Sequence, residues 1–300
     1  MSLKAVVGAV LLLALASRSL GAVTVTPASA DTDPYVTTPR YNKFPWAFTA
    51  DYSFVFSVSP AWKQPINPSS WSGVPVLPGF LPGSPGMLAL LRYTESPIGE
   101  YSELFYVPGS FVNPLCGEKA LSSIYRIWVD SKYSQRAGRN IWGIPKELAT
   151  FDWKETNSGM AVTVKDAAGK VFLRLNTTQF PLPDPLTTAA TSIARRFVGD
   201  CLTTIQWPID DLTGRSTLAG QVSAYKVAEQ CYAAKPPLPI KLDVCFQLKG
   251  GVLAKVDAAF MDPVTFTGHK NKLLVAPLGY QLPMNMNATL GQPIAVKCWV

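Results

Sequence analysis

The chain has 300 residues, 48% of them hydrophobic and 16% charged, so it has material for a substantial core and does not have the composition of a disordered protein. Its formal charge of +7 is spread out, and Arg195-Arg196 and Lys270/Lys272 are isolated pairs, which argues against nucleic acid as a partner. The 26 prolines and 21 glycines demand many turns and short elements and exclude a helical bundle.

The first residues have the pattern of a secretory signal peptide. Lys4 is followed by an uncharged run from Ala5 to Ala16, and then by small residues that offer cleavage after Ala16, Gly21 or Ala22. The run is shorter than a membrane-spanning helix requires. The expectation is a secreted, extracellular protein with no membrane anchor after cleavage. Loss of residues 1–22 removes Lys4 and Arg18 and lowers the charge from +7 to +5. Residues 23–45 are polar and rich in Pro and Thr, and read as an extended lead-in. Residues 46–300 read as a single domain.

Tyr52 to Val58 is the first predicted strand, and the Pro/Gly-rich stretch 74–86 is a loop. Strands are predicted at Met87–Arg92 and at Leu104–Val107, the latter closed by Pro108-Gly109. Tyr125, Ile127 and Val129 alternate with Arg126 and Trp128, the period of a half-buried strand. Asp130 or Ser131 then caps a short helix, which Gly138 ends in a left-handed turn. Val162 and Val164, the turn Asp166–Gly169 and the return Lys170–Leu175 give the clearest hairpin signal. Pro181, Pro183 and Pro185 mark a loop, and Thr187–Val198 a helix. In Lys241–Leu248, Leu242, Val244, Phe246 and Leu248 share one face, and Gly250-Gly251 turns this strand into Val252–Val256 as a second hairpin. The predicted class is mainly β (α+β) with a few short helices, in a barrel-like or sandwich domain.

There are five cysteines, Cys116, Cys201, Cys231, Cys245 and Cys298, with no C-x-x-C pair, and His269 is the only histidine. No metal site is expected. Export favours one or two disulfides with an odd thiol left over, and the connectivity is open. Asn176 and Asn287 head N-x-T sequons and are candidate glycosylation sites.

Much catalytic chemistry is excluded. His269 would have to serve any triad, and no G-x-S-x-G accompanies it; there is no phosphate-binding loop and no dinucleotide fingerprint. No spacing fixes Glu95, Glu100 and Glu103 as a glycosidase pair. Lysine chemistry remains. In "GRNIWGIPKELATFDW", residues 138–153, Lys146 follows Pro145 and sits among Ile141, Trp142, Ile144 and Leu148. An apolar pocket favours the neutral amine, which attacks ketones and aldehydes to form imines. On these residues alone the plainer reading is an edge strand whose lysine snorkels to water.

"GRNIWGIPKELA" resembles the active-site segment of the acetoacetate decarboxylase superfamily, and "SPIGEYSELFYVPG", Ser96 to Gly109, resembles its glutamate-bearing segment through Gly99, Tyr101 and Glu103. The tail "HKNKLLVAPLGY" is a weaker echo, and the clear match spans about residues 87–153. The resemblance implies mixed strands curled into a cone-like β-barrel with the lysine in its apolar interior. It implies that Lys146 is the Schiff-base nucleophile and that Glu103, preferred over Glu95, handles protons and substrate, with no cofactor. Arg139, Trp142, Ile144 and Tyr101 are then candidates for the pocket or its surroundings, and a homo-oligomer is expected by analogy.

This sequence departs from the family pattern in two places. Glu147 stands where the bacterial enzymes have a second lysine, though strand alternation sends it to the other face. The first strand, "PWAFTADYSFVF", has no arginine, leaving Arg92, Arg126 or Arg139 to hold a substrate carboxylate. Decarboxylation of a small β-keto acid is the leading function. The alternatives are a Schiff-base aldolase or dehydratase on a keto acid, and a non-catalytic secreted binder of small apolar ligands.

Overall fold

The computed structural model describes residues 44–58, 86–112, 120–180, 201–206, 240–246, 252–267, 275–282, 286–291 and 294–295. The expected signal peptide, the expected lead-in up to residue 43, the expected loop from 74 up to residue 85, the prolines at 181–185, the helix expected at Thr187–Val198, Gly250-Gly251, His269, Cys116, Cys231 and Cys298 lie outside them.

In chain order the elements are β1 (Trp46–Val58), β2 (Gly86–Glu95), β3 (Tyr101–Val107), β4 (Ser110–Val112), β5 (Ala120–Ser122) and β6 (Arg126–Val129), then α1 (Lys132–Trp142). They continue with β7 (Lys146–Thr156), β8 (Gly159–Asp166), β9 (Val171–Phe180), β10 (Cys201–Gln206), β11 (Ile240–Phe246) and β12 (Val252–Met261). A short helix α2 (Pro263–Thr267) precedes β13 (Val275–Leu282), β14 (Met286–Leu290) and β15 (Ile294–Ala295).

These strands form one curled mixed sheet in the order β13-β12-β9-β8-β7-β6-β3-β2-β1-β14-β11-β10-β5-β4. Its β13 also pairs with β1, so nine strands return on themselves as a barrel. The sheet branches at β1. Trp46–Ala50 pairs with β14, and Ser53–Val58 pairs with β13. The extra residue at Asp51, opposite the step from Tyr93 to Arg92, is a bulge that exchanges the faces of the strand. Trp46, Phe48 and Ala50 therefore enter one core, and Tyr52, Phe54 and Val58 the other.

The wall β1-β2-β3-β6 is buried on both faces. Inside the ring, Leu88, Leu90, Leu104, Tyr106 and Trp128 pack on Val162, Val164, Phe172 and Leu175. On the outer face, Ala89, Leu91, Phe105, Ile127 and Val129 are covered by α1, β11 and β14 through Ala137, Ile141, Trp142, Leu242 and Ala288. The strand expected to be half-buried at 125–129 is thus buried on both sides over Ile127–Val129.

Two local expectations are corrected. Val252–Met261 is not the hairpin partner of β11. It pairs with β9 and β13 in the ring, while β11 pairs with β10, β14 and β15 in the other branch. The alternation of each strand was readable, but partner choice is set by which core its apolar face joins. Helix α1 does begin at Ser131, whose side chain accepts from Ser134 N, but it runs through Gly138 to Trp142 and stops at Gly143, φ 66°. Gly143 is the left-handed residue, and Ile144 N donates to Gly138 O at 3.0 Å. The β8–β9 hairpin forms as predicted, with Asp166 Oδ1 accepting from Ala168 N at 3.0 Å and Lys170 N at 2.9 Å, and Gly169 at φ 82°.

Helix α2 plugs the ring with the fully buried Phe266, and Asp262 caps it by accepting from Val264 N at 3.2 Å and Thr265 Oγ1 at 3.0 Å. Lys170 first, then Thr265 and Val264, hold the Asp262 carboxyl below its ordinary value. A depressed carboxyl stabilises the fold above the unfolded carboxyl range and loses that contribution as pH falls. Asp262→Ala is expected to lower stability by about 1 kcal/mol at pH 7. In urea titrations at decreasing pH the difference should close as the carboxyl protonates.

Candidate active site

The unit β6-α1-β7 builds the site. A parallel pair needs a crossover, and α1 supplies it, so Lys146 at the start of β7 lies beside Ile127 on the outer face of the wall. Glu103 reaches the same face from β3, in register with Leu91 and Val129. Lys146 Nζ donates to Glu103 Oε2 at 2.7 Å and to Ser134 Oγ of α1 at 2.9 Å. It also lies 5.3 Å from the centre of the Tyr101 ring. Lys146 is only 7% exposed, Glu103 6% and Ser134 0%, so the lysine does not snorkel to solvent.

Two phenols face the carboxylate. Tyr93 OH lies 3.4 Å from Glu103 Oε1, and Tyr101 OH lies 3.5 Å from Oε2. Burial, and then the charge of Glu103, push the Tyr93 phenol well above its ordinary range, so it remains a donor at neutral pH.

Lys146, Glu103 and Ser134 open on a cavity of about 50 Å³. At roughly 10–15 Å³ for each water-sized occupant, that suits a molecule of a few heavy atoms. Its walls include Trp46, Phe48, Tyr101, Phe105, Trp142 and Ile144. Trp142 packs edge-on against Trp46 at 4.8 Å and donates from Nε1 to Gly291 O at 3.0 Å, which fixes one wall to the end of β14. The amine, the carboxylate and the hydroxyl place a nucleophile, a proton acceptor and a neutral donor–acceptor around one nitrogen.

Of the residues singled out from the sequence, Lys146, Glu103, Tyr101, Trp142 and Ile144 meet in this cavity. Glu95 does not: it ends β2 and accepts from Thr49 Oγ1 at 3.2 Å. Leu148 is 39% exposed rather than a pocket wall, because β7 runs outward beyond Lys146. Lys146 is also outside the ring core rather than in the barrel interior, since it faces the core under α1.

None of the three arginines considered for a substrate carboxylate is among the described residues lining the cavity. Arg92 makes a two-pronged pair with Asp51 at 2.8 and 2.7 Å, Arg126 pairs with Glu147 at 3.3 Å, and Arg139 lies on α1. Asn176 and Asn287 are both exposed, in β9 and β14. Cys245 is in a disulfide, and Cys201 is its register partner across β10–β11.

Glu147 points away from Lys146 to the surface, where it meets Arg126. An exposed pair of this kind contributes about 0–1 kcal/mol. Glu147→Gln is therefore expected to leave the reactivity of Lys146 toward carbonyl reagents unchanged and to shift the unfolding midpoint only slightly, as read by mass spectrometry and thermal melts.

Ser134, Tyr93, Trp46, Phe48 and Gly138 were missed as site residues. Ser134 and Gly138 share a helix face at i, i+4. A Cβ on Gly138 would lie 2.6 Å from Lys146 Cδ, 2.7 Å from Cε and 2.9 Å from Cγ, so the missing side chain is the slot for the lysine stem. A glycine inside a capped helix, eight residues before a proline-flanked lysine, was the available signal.

The family model described as acetoacetate decarboxylase (ADC) matches residues 77–204. The solved acetoacetate decarboxylase of Legionella pneumophila subsp. pneumophila str. Philadelphia 1 superposes with a TM-score of 0.56 at 15% identity, covering 94% of this chain and 98% of that one. Another solved acetoacetate decarboxylase gives 0.53 at 10% identity, covering 88% and 98%. At these identities the likeness is one of fold. No curated protein sequence matches the chain.

Proposed function

We propose that this chain is a member of the acetoacetate decarboxylase-like superfamily and that it decarboxylates a small β-keto acid through an imine on Lys146. The observation that carries the reading is the buried amine held between Glu103 at 2.7 Å and Ser134 at 2.9 Å at the wall of a small apolar cavity. A lysine used only for structure has no need of a cavity at its nitrogen.

Lys146 first passes a proton to Glu103. The neutral nitrogen then attacks the ketone carbon, and loss of water leaves a protonated imine. The bond from the α-carbon to the carboxylate breaks, its electron pair moves toward the iminium nitrogen, and CO2 departs from a neutral enamine. Protonation of the enamine carbon and hydrolysis return the ketone and Lys146, with one proton taken up per turnover. The iminium is the cation closest to the leaving carboxylate, and CO2 loss removes both charges from a low-dielectric site. In this reading the leader at 1–22 carries the enzyme out of the cell.

The test is to incubate the purified protein with acetoacetate and borohydride, digest it, and weigh the peptide containing Lys146, while CO2 release is followed without borohydride. An adduct on Lys146 together with CO2 release supports the proposal. An adduct without CO2 transfers it to the aldolase or dehydratase reading. The absence of an adduct with acetoacetate, pyruvate and longer keto acids would sink imine chemistry altogether.

A further inference from the structure

We propose that Ser134 is a second proton-handling residue of the imine-forming step. This rests on the Lys146 reading above. Its hydroxyl is fully buried and accepts from Lys146 Nζ at 2.9 Å, on a nitrogen whose other side-chain partner is Glu103. A serine within a helix ordinarily faces water or bonds back to the carbonyl one turn earlier. Ser134 is instead aimed at the reacting atom by the first turn of α1, where its own N–H donates to the capping Ser131 Oγ at 3.3 Å. Gly138, one turn on, leaves the lysine stem lying flat against the helix, which sets the distance between the nitrogen and the hydroxyl.

Imine formation moves protons in three steps, and Glu103 serves two of them. It takes the first proton from the ammonium and later delivers it to the departing water. Between these, attack on the carbonyl leaves a positive nitrogen and an alkoxide on one carbon. A proton must cross from nitrogen to oxygen while Glu103 is already protonated. Ser134 Oγ accepts the N–H proton as its own proton passes to the alkoxide, giving the carbinolamine with the serine unchanged. Glu103 then protonates the carbinol hydroxyl, the C–O bond breaks, water leaves, and the nitrogen lone pair closes the C=N bond. Every proton is accounted for, and no oxidant or cofactor is required.

The test uses the full chain with pentane-2,4-dione, whose adduct with an amine absorbs in the near ultraviolet and does not lose CO2. Ser134→Ala removes the hydroxyl and puts the best helix former in its place. It is expected to slow adduct formation by about 100-fold, the low end of what a positioned acid or base contributes, with the same final extent. The wild-type rate should fall in D2O, and this isotope effect should be reduced in Ser134→Ala. Ser134→Thr, which keeps the hydroxyl, should recover the rate to within a few fold. A wild-type rate in Ser134→Ala overturns the proposal, as does an equal slowing in Ser134→Ala and Ser134→Thr, which would mark a packing role. If the wild-type protein forms no adduct, the Lys146 reading falls with it.

Discussion

Glu103→Gln is expected to lower turnover of a β-keto acid by about 10²- to 10⁴-fold, the range for a lost general acid or base, while Lys146 becomes more reactive toward a small acylating ester at pH 7. The two effects have opposite signs because Glu103 has two roles. As an anion 2.7 Å from Nζ and only 6% exposed, it stabilises the ammonium. As a base and then an acid, it carries the proton that imine formation must take away and return. A glutamine amide does neither. The neutral amide removes the anion that holds the nitrogen at 2.7 Å, so the amine is freer to attack and acylates faster. The amide holds no proton for the leaving water, so dehydration stalls. Peptide mass spectrometry after timed acylation reads the first effect, and CO2 release the second. A variant that loses acylation and turnover together would mark Glu103 as a purely structural partner, and one that keeps turnover would remove it from the mechanism.

The parts of this fold readable from sequence are those where one face meets water. The β8–β9 hairpin alternates cleanly between buried Val162 and Val164 and partly exposed neighbours, and its turn residues are specific. In the wall β1-β2-β3-β6 the alternation disappears, because Leu90 faces the ring core and Leu91 the core under α1, and both are apolar. The bulge at Asp51 has no local signal, yet it decides that Trp46 and Phe48 line the cavity while Tyr52 and Phe54 do not. The site was legible only as far as its resemblance to the acetoacetate decarboxylase segments reached. Lys146 and Glu103 stand out in quoted segments, but their 43-residue separation says nothing of a 2.7 Å contact. Leu242, Val244 and Ala288 come to the cavity from strands whose partners depend on long-range pairing. The arginines show the converse. All three could be read as carboxylate holders, and pairing to Asp51 and Glu147 places two of them elsewhere.

Gly138→Ala separates the requirements of folding from those of chemistry. Alanine in a helix interior is favoured over glycine by about 0.8–1.0 kcal/mol. Against this, the new methyl would sit 2.6–2.9 Å from three carbons of the Lys146 stem, and overpacking of a filled site costs about 1–3 kcal/mol. The atoms in the way belong to a long side chain rather than to backbone, so the stem can shift instead of the fold. The two terms then nearly cancel, and the unfolding midpoint is expected to move by only a few degrees. The lysine has no such latitude in function. Its nitrogen is held at 2.7 Å from Glu103 and 2.9 Å from Ser134, and a stem displaced by one methyl radius cannot keep both contacts. Misplacement by about 1 Å costs on the order of 10²-fold in rate, and that is the expected loss in both adduct formation and turnover. Thermal melts and borohydride trapping on the same preparation decide the matter. A folded Gly138→Ala protein that traps ketone at the wild-type rate would show that the slot under α1 does not position the amine.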